Sequence, residues 1–101
     1  MKVIINNTKH AVYASGKLLI PGTNVVDDKE FDEEKSDVKS LIANDDIEVY
    51  SSDKMDDKAK KKAVSEITSP DALKKLSETF PKLDVSSAKE RLEEFEKQVK
   101  G

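Results

Sequence analysis

Apolar side chains enter this chain in two rhythms. Over roughly the first fifty residues they come as short runs of two or three. Over the last forty they recur at intervals of three and four. The first rhythm belongs to strands and the second to helices. Val3-Ile4-Ile5 predicts a first strand, and Asn6-Asn7-Thr8 a turn after it. His10 to Ala14 alternates weakly, as a second strand would, and Ser15-Gly16 breaks it in the manner of a hairpin. Leu18 to Ile20 and Thr23 to Val26 are two more apolar runs. Between them Pro21-Gly22 fits the central pair of a type II turn, with Pro setting φ near −65° and Gly taking positive φ. Together residues 16–26 predict a hairpin with an exposed Pro-Gly tip.

Beyond this hairpin the spacing changes. Val38, Leu41 and Ile42 lie on one face of a helix expected over about residues 32–43, with Phe31 packed under its first turn. Its acidic start complements the helix dipole, and Asn44 is a plausible left-handed cap. Ile47, Val49 and Tyr50 form a last strand. Residues 53–62 carry almost nothing but charge and predict a solvated linker, helical towards its end. Ser69-Pro70-Asp71 is a strong helix start: an N-cap, a proline at the first helical position and an acid for the dipole. Leu73, Leu76 and Phe80 mark that helix's inner face, and Pro81 stops it. Asp84 can cap the next helix, where Val85, Ala88, Leu92, Phe95 and Val99 make one continuous stripe. The expected fold is therefore α+β. A small N-terminal sheet with one covering helix spans 1–52, a charged linker 53–62 and a helical hairpin 63–101.

Composition narrows the function classes. Of the 101 residues, 36% are hydrophobic and 39% charged, so the core is thin. There is no cysteine, which removes disulfides, thiolate metal sites and thiol nucleophiles. No apolar run reaches the length of a membrane span, and the three-residue run near the start is too short for a signal peptide; a soluble intracellular product is expected. Net charge is −3, with acids in excess over residues 1–52 and a near balance after them. Arg91 is the single arginine. No basic stripe interleaved with aromatics appears, which disfavours nucleic-acid binding.

Candidate chemistry is sparse. His10 is the lone histidine, and nothing around it has the spacing of a catalytic triad; a surface position is expected. The acids from Asp27 to Glu34 lack the central glycine of a calcium loop and suit a connector and helix start. Lys60-Lys61-Lys62 has acids close on both sides, and Gly16-Lys17 lacks the glycine spacing of a phosphate loop. No catalytic residue, metal ligand or cofactor site is expected. The stripe from Val85 to Val99 reads as the inner face of the hairpin, with Leu73, Leu76 and Phe80 as its mate.

The run Gly16-Lys17-Leu18-Leu19-Ile20-Pro21-Gly22-Thr23-Asn24-Val25-Val26, the helix Val38-Lys39-Ser40-Leu41-Ile42-Ala43 and the strand Ile47-Glu48-Val49 resemble small proteins of phage and prophage structural modules. In Mu-like and Bacillus skin-element-like prophages such proteins are typically encoded beside the major capsid protein. The segment Ile67 to Leu73, followed by Ala88-Lys89-Glu90-Arg91-Leu92-Glu93-Glu94, is similar to the helical pair that ends that group; Phe95 stands where Leu is more usual. The resemblance implies a non-enzymatic virion or head-assembly protein, serving head decoration, head completion or head–tail connection. It would be found in the virion or the host cytoplasm. Its partners would be capsid or connector proteins, with no membrane involved and with oligomerisation in the assembled particle. It carries over no catalytic residue. The contact residues expected are Leu18, Leu19, Ile20, Pro21 and Gly22 on the hairpin and Leu92 and Phe95 on the last helix. The alternative is a nucleic-acid-binding accessory protein that uses the lysines of the helical hairpin.

Overall fold

The computed structural model describes residues 1–100, with side chains described through Glu94. Its centre is a three-stranded antiparallel sheet in the order β4-β1-β5, formed by β1 (Lys2–Asn6), β4 (Gly22–Val26) and β5 (Ile47–Ser51). β1 pairs Lys2 with Val26 and Asn6 with Gly22 on one side, and Lys2 with Ser51 and Asn6 with Ile47 on the other. The unbroken apolar run at Val3-Ile4-Ile5 explains why β1 is central. Successive strand residues point to opposite faces, so a run without alternation needs cover on both. Val3 and Val25 pack with Met55, Ala63, Val64, Ile67, Leu76 and Ala88. Ile4 packs with Ala14, Leu19, Phe31, Val38 and Ile47. Two cores therefore share one sheet, and the fold is α+β in three layers.

The first outer layer contains α1 (Ser36–Ala43) and a separate two-stranded sheet of β2 (Val12–Ala14) and β3 (Lys17–Leu19). Here the structure corrects one expectation. β3 pairs with β2, not with β4, so residues 16–26 are not a hairpin. The turn chemistry at Pro21-Gly22 is present, with Gly22 at φ +89°, but it makes a corner between sheets. Asn24 holds that corner from its side chain: Nδ2 donates to the Ile20 carbonyl at 2.9 Å and Oδ1 accepts from the Ile20 amide at 3.0 Å. Asn6, fully buried, ties the smaller sheet to β1. Its Nδ2 donates to the carbonyls of His10 (2.9 Å) and Leu19 (3.1 Å), and its Oδ1 accepts from the amide and hydroxyl of Thr8. Both donors and both lone pairs are thus used, as a buried amide requires.

α1 begins later than its spacing suggested, because Asp32 Oδ1 accepts from the Glu34 amide and holds that stretch in a turn. The helix ends in a Schellman arrangement. The Asp46 amide donates to Leu41 (2.9 Å) and the Asp45 amide to Ile42 (3.0 Å), with the left-handed residue at Asp45, φ +60°, one past the expected Asn44.

The second outer layer is helical. The charged stretch expected as a linker is ordered: a 3₁₀ turn covers Ser52–Lys54, Met55 is buried, and α2 runs over Asp57–Ser65 with Asp56 as its N-cap. Its inner face is Ala59, Ala63 and Val64, residues too small and too few to stand out among four lysines and an aspartate. α3 (Pro70–Thr79) starts as its cap signals foretold, with Ser69 Oγ accepting from the Ala72 amide at 3.1 Å. α4 (Ser86–Lys100) is preceded by Asp84, whose Oδ1 accepts from the Ser86 amide at 3.0 Å. α3 and α4 pack on each other and, with α2, on the sheet. No helix among the described residues is long and apolar enough to cross a membrane.

Candidate protein-contact surface

The β2–β3 hairpin owes its form to two residues. Ser15 (φ +52°) and Gly16 (φ +73°) are both left-handed, the pattern of a type I′ turn, whose twist matches that of a two-residue hairpin. Serine is an unusual occupant of that position. Its hydroxyl oxygen accepts from the Asp32 amide at 2.9 Å and its amide donates to Asp37 Oδ2 at 3.1 Å, which anchors the turn to the start of α1. The strand period then sorts the side chains. Ala14 and Leu19 point inward and are fully buried; Tyr13 and Leu18, cross-strand partners, point outward and are 71% and 52% exposed. A directly opposed aromatic–aliphatic pair of this kind is usually a stabilising cross-strand contact with one side free.

Next to this pair lies a groove of about 420 Å³ between the β3–β4 corner and α3. Leu18, Ile20 and Met1 contribute apolar lining, with Val25 and Val26 from β4 and Ala72 from α3. Met1 is itself 41% exposed. Charge on the rim is neutralised in pairs: Lys17 with Glu30 at 2.8 Å, the Met1 amine with Asp28 at 3.1 Å, and Lys75 with Asp71 at 3.4 Å. Such exposed pairs add little stability, but they leave the groove without a dominant sign of charge.

The expected contact residues meet different fates. Leu18 and Ile20 line the groove. Leu19 is fully buried in the core with Ile4 and Phe31, so it is not a surface residue. Pro21 and Gly22 are not an exposed tip. The Pro21 carbonyl accepts from Thr68 Oγ1 at 2.7 Å, and Gly22 is buried against the α2–α3 connector, where the Thr23 amide donates to the Glu66 carbonyl at 3.0 Å. Leu92 packs partly buried against the helical core. The side chain of Phe95 lies outside the described residues. Tyr13 and Met1 were not foreseen. The phase of a three-residue strand cannot be read from its sequence, so nothing local marks Tyr13 as outward.

One polar cluster stands apart from this surface. Glu48 Oε1 accepts from the Tyr50 hydroxyl at 2.7 Å, while Oε2 accepts from Asn7 Nδ2 at 3.1 Å and from Lys62 Nζ. Burial alone would raise the Glu48 pKa and is the largest single influence. The bonds from Lys62, Tyr50 and Asn7 together outweigh it and hold the carboxyl below its ordinary value. The bond to Glu48, and then burial, push the Tyr50 hydroxyl up to about 12. Glu48, kept ionised, ties β5 to α2 through Lys62, and with Tyr50 kept protonated the two are not a proton-transfer pair poised near neutral pH. His10 is exposed, and among the described residues no group of three His, Cys, Asp or Glu side chains could hold a metal ion. No known protein family, curated protein or solved structure matches this chain.

Proposed function

We propose that this protein is a non-enzymatic structural component that works by protein–protein contact, of the kind found in phage and prophage head assembly. The observation that carries the reading is the outward Tyr13–Leu18 pair beside the groove, on a hairpin whose inward Ala14 and Leu19 are fully buried. A large apolar pair left outside a thin core is costly to solubility unless a partner covers it. Tyrosine is also a favoured anchor in such contacts, because it brings much apolar area and loses little conformational freedom. The sequence resemblance supplies the class of assembly.

The test is co-sedimentation with assembled particles or with purified capsid and connector proteins. The double variant Tyr13→Thr/Leu18→Thr, which keeps a favourable cross-strand pair, should lose co-sedimentation at least tenfold while its urea midpoint falls by less than about 1 M. Equal co-sedimentation of variant and parent would refute this surface; absence of the parent from purified particles would refute the assembly role.

A further inference from the structure

A second groove lies in the helical layer, across the sheet from the Tyr13–Leu18 hairpin. It runs between α2 and the connector from α3 to α4. One part, of about 420 Å³, is floored by Phe80, Pro81 and Leu83; a second, of about 320 Å³, continues past Leu83 towards Val64. Three lysines border it: Lys60, Lys61 and Lys82. The ion pairs among the described residues use Lys2, Lys17, Lys39, Lys62 and Lys75, and none of these three. Lys60 Nζ instead rests 5.0 Å from the centre of the Phe80 ring. Two carboxylates also line the groove. Asp57 sits in the first turn of α2, and Asp84 accepts from the amide (3.0 Å) and hydroxyl (2.6 Å) of Ser86.

We propose that this groove docks an acidic segment of a partner protein, which inserts an aliphatic or aromatic side chain over Leu83 and sets its carboxylates against Lys60, Lys61 and Lys82. An apolar floor bordered by three lysines, outside the ion pairs of the described residues and in excess over the two carboxylates, is complementary to that chemistry. A nucleic acid fits less well. The face of Phe80 on which a base would stack is already covered by Lys60. The proposal stands on this groove alone and does not depend on the particle-assembly reading.

The test is selection of a random dodecapeptide display library on the immobilised full-length protein, with enriched peptides then measured by fluorescence anisotropy. Enriched sequences should pair two or more Asp or Glu with a Leu, Phe or Trp. Their affinity should fall at least tenfold for Lys60→Glu/Lys82→Glu and at least threefold for Lys82→Glu alone, a connector substitution that leaves every helix intact. It should also weaken with added salt. Failure of any peptide to enrich, enrichment without acidic bias, or acidic peptides that bind both variants as well as the parent would overturn the proposal. Tighter binding of a 20-base-pair DNA duplex than of any peptide, lost in the same variants, would overturn it in favour of nucleic acid.

Discussion

Gly22→Ala probes the joint between the two halves of this chain. Gly22 begins β4 at φ +89°, a conformation that costs an L-residue about 1–2 kcal/mol. Space is the larger problem. A Cβ there would sit well inside contact distance of the Glu66 carbonyl oxygen, 3.0 Å from Thr68 Cγ2 and 3.3 Å from the Glu66 carbonyl carbon. Two of these neighbours are backbone and cannot rotate away. The α2–α3 connector must therefore retreat, and the bond from the Thr23 amide to Glu66 at 3.0 Å goes with it, at about 1 kcal/mol. Strain, lost bond and loosened packing together come to roughly 3–4 kcal/mol, a large share of the 5–10 kcal/mol expected for a domain of this size.

Gly16 is the internal control. It too is left-handed, at φ +73°, but a Cβ there meets nothing within 4 Å. Gly16→Ala should therefore cost only the conformational part, about 1 kcal/mol. Urea denaturation followed by far-ultraviolet circular dichroism measures both. With a slope of about 1.5 kcal/mol per molar, Gly22→Ala should lower the midpoint by about 2 M and Gly16→Ala by less than 1 M. If the two variants agree within about 0.5 kcal/mol, the connector does not press on Gly22 and the joint described here is wrong.

The same denaturation experiment reads two further substitutions. Thr23 Oγ1, buried, donates to the Ala63 carbonyl at 2.6 Å in the last turn of α2; Thr23→Val leaves that carbonyl unpaired and should cost about 1–3 kcal/mol. Arg91 Nη2 donates to the carbonyls of Val64 (3.0 Å) and Ile67 (2.7 Å), closing the C-terminal end of α2 from α4; Arg91→Ala should cost about 1–2 kcal/mol, and Arg91→Lys should recover only part of it, because the lysine side chain is one bond shorter than the path to Nη2. For Tyr50, Tyr13→Phe leaves one phenol to follow by absorbance near 295 nm. Its midpoint should lie near 12 and fall by at least one unit when Glu48→Gln is added. The sign follows from the direction of each shift. Tyr50, raised in the folded state, stabilises fully below the unfolded phenol range near 10 and loses that contribution as pH climbs towards 12. Glu48, lowered, contributes above the usual carboxylate range and loses its contribution as pH falls through its folded value.

Elements with local punctuation were legible in the sequence. Ser69-Pro70-Asp71 marked the start of α3 to the residue, Ser15-Gly16 marked the turn of the smaller sheet, and Pro81 closed α3. Partnerships between elements were not. A Pro-Gly pair has the same local chemistry whether it reverses a strand into a hairpin or turns it into another sheet. What decides here is non-local: β1 offers an edge to β4, while Asn6 and Asn24 clamp the C-terminal end of β3. α2 was obscured for a different reason. Its inner face is made of alanines and one valine, and its caps, Asp56 and Arg91, lie in a charge run and 25 or more residues away. On the candidate surface Leu18 and Ile20 were legible as apolar residues of a corner. Tyr13 was not, because a strand of three residues has no phase to read.

The unbroken run Val3-Ile4-Ile5 held more than its length suggested. A strand that faces solvent on one side alternates; one that does not alternate needs two covers. The hairpin and α1 provide one, over Ile4. No other element of the first fifty residues is left to provide the second, so the helices after residue 55 must dock on the sheet over Val3 and Val25, as they do. A helical pair of this size buries too little alone to offset its ordering entropy, and the sheet supplies the missing apolar area. The same docking determines where partners can bind. Because both faces of the sheet are occupied by the chain itself, the proposed contacts would fall to what the outer layers expose: the Tyr13–Leu18 pair on one and the lysine-bordered groove on the other. Two such surfaces on opposite layers are what the proposed role would use to bridge two neighbours in an assembly.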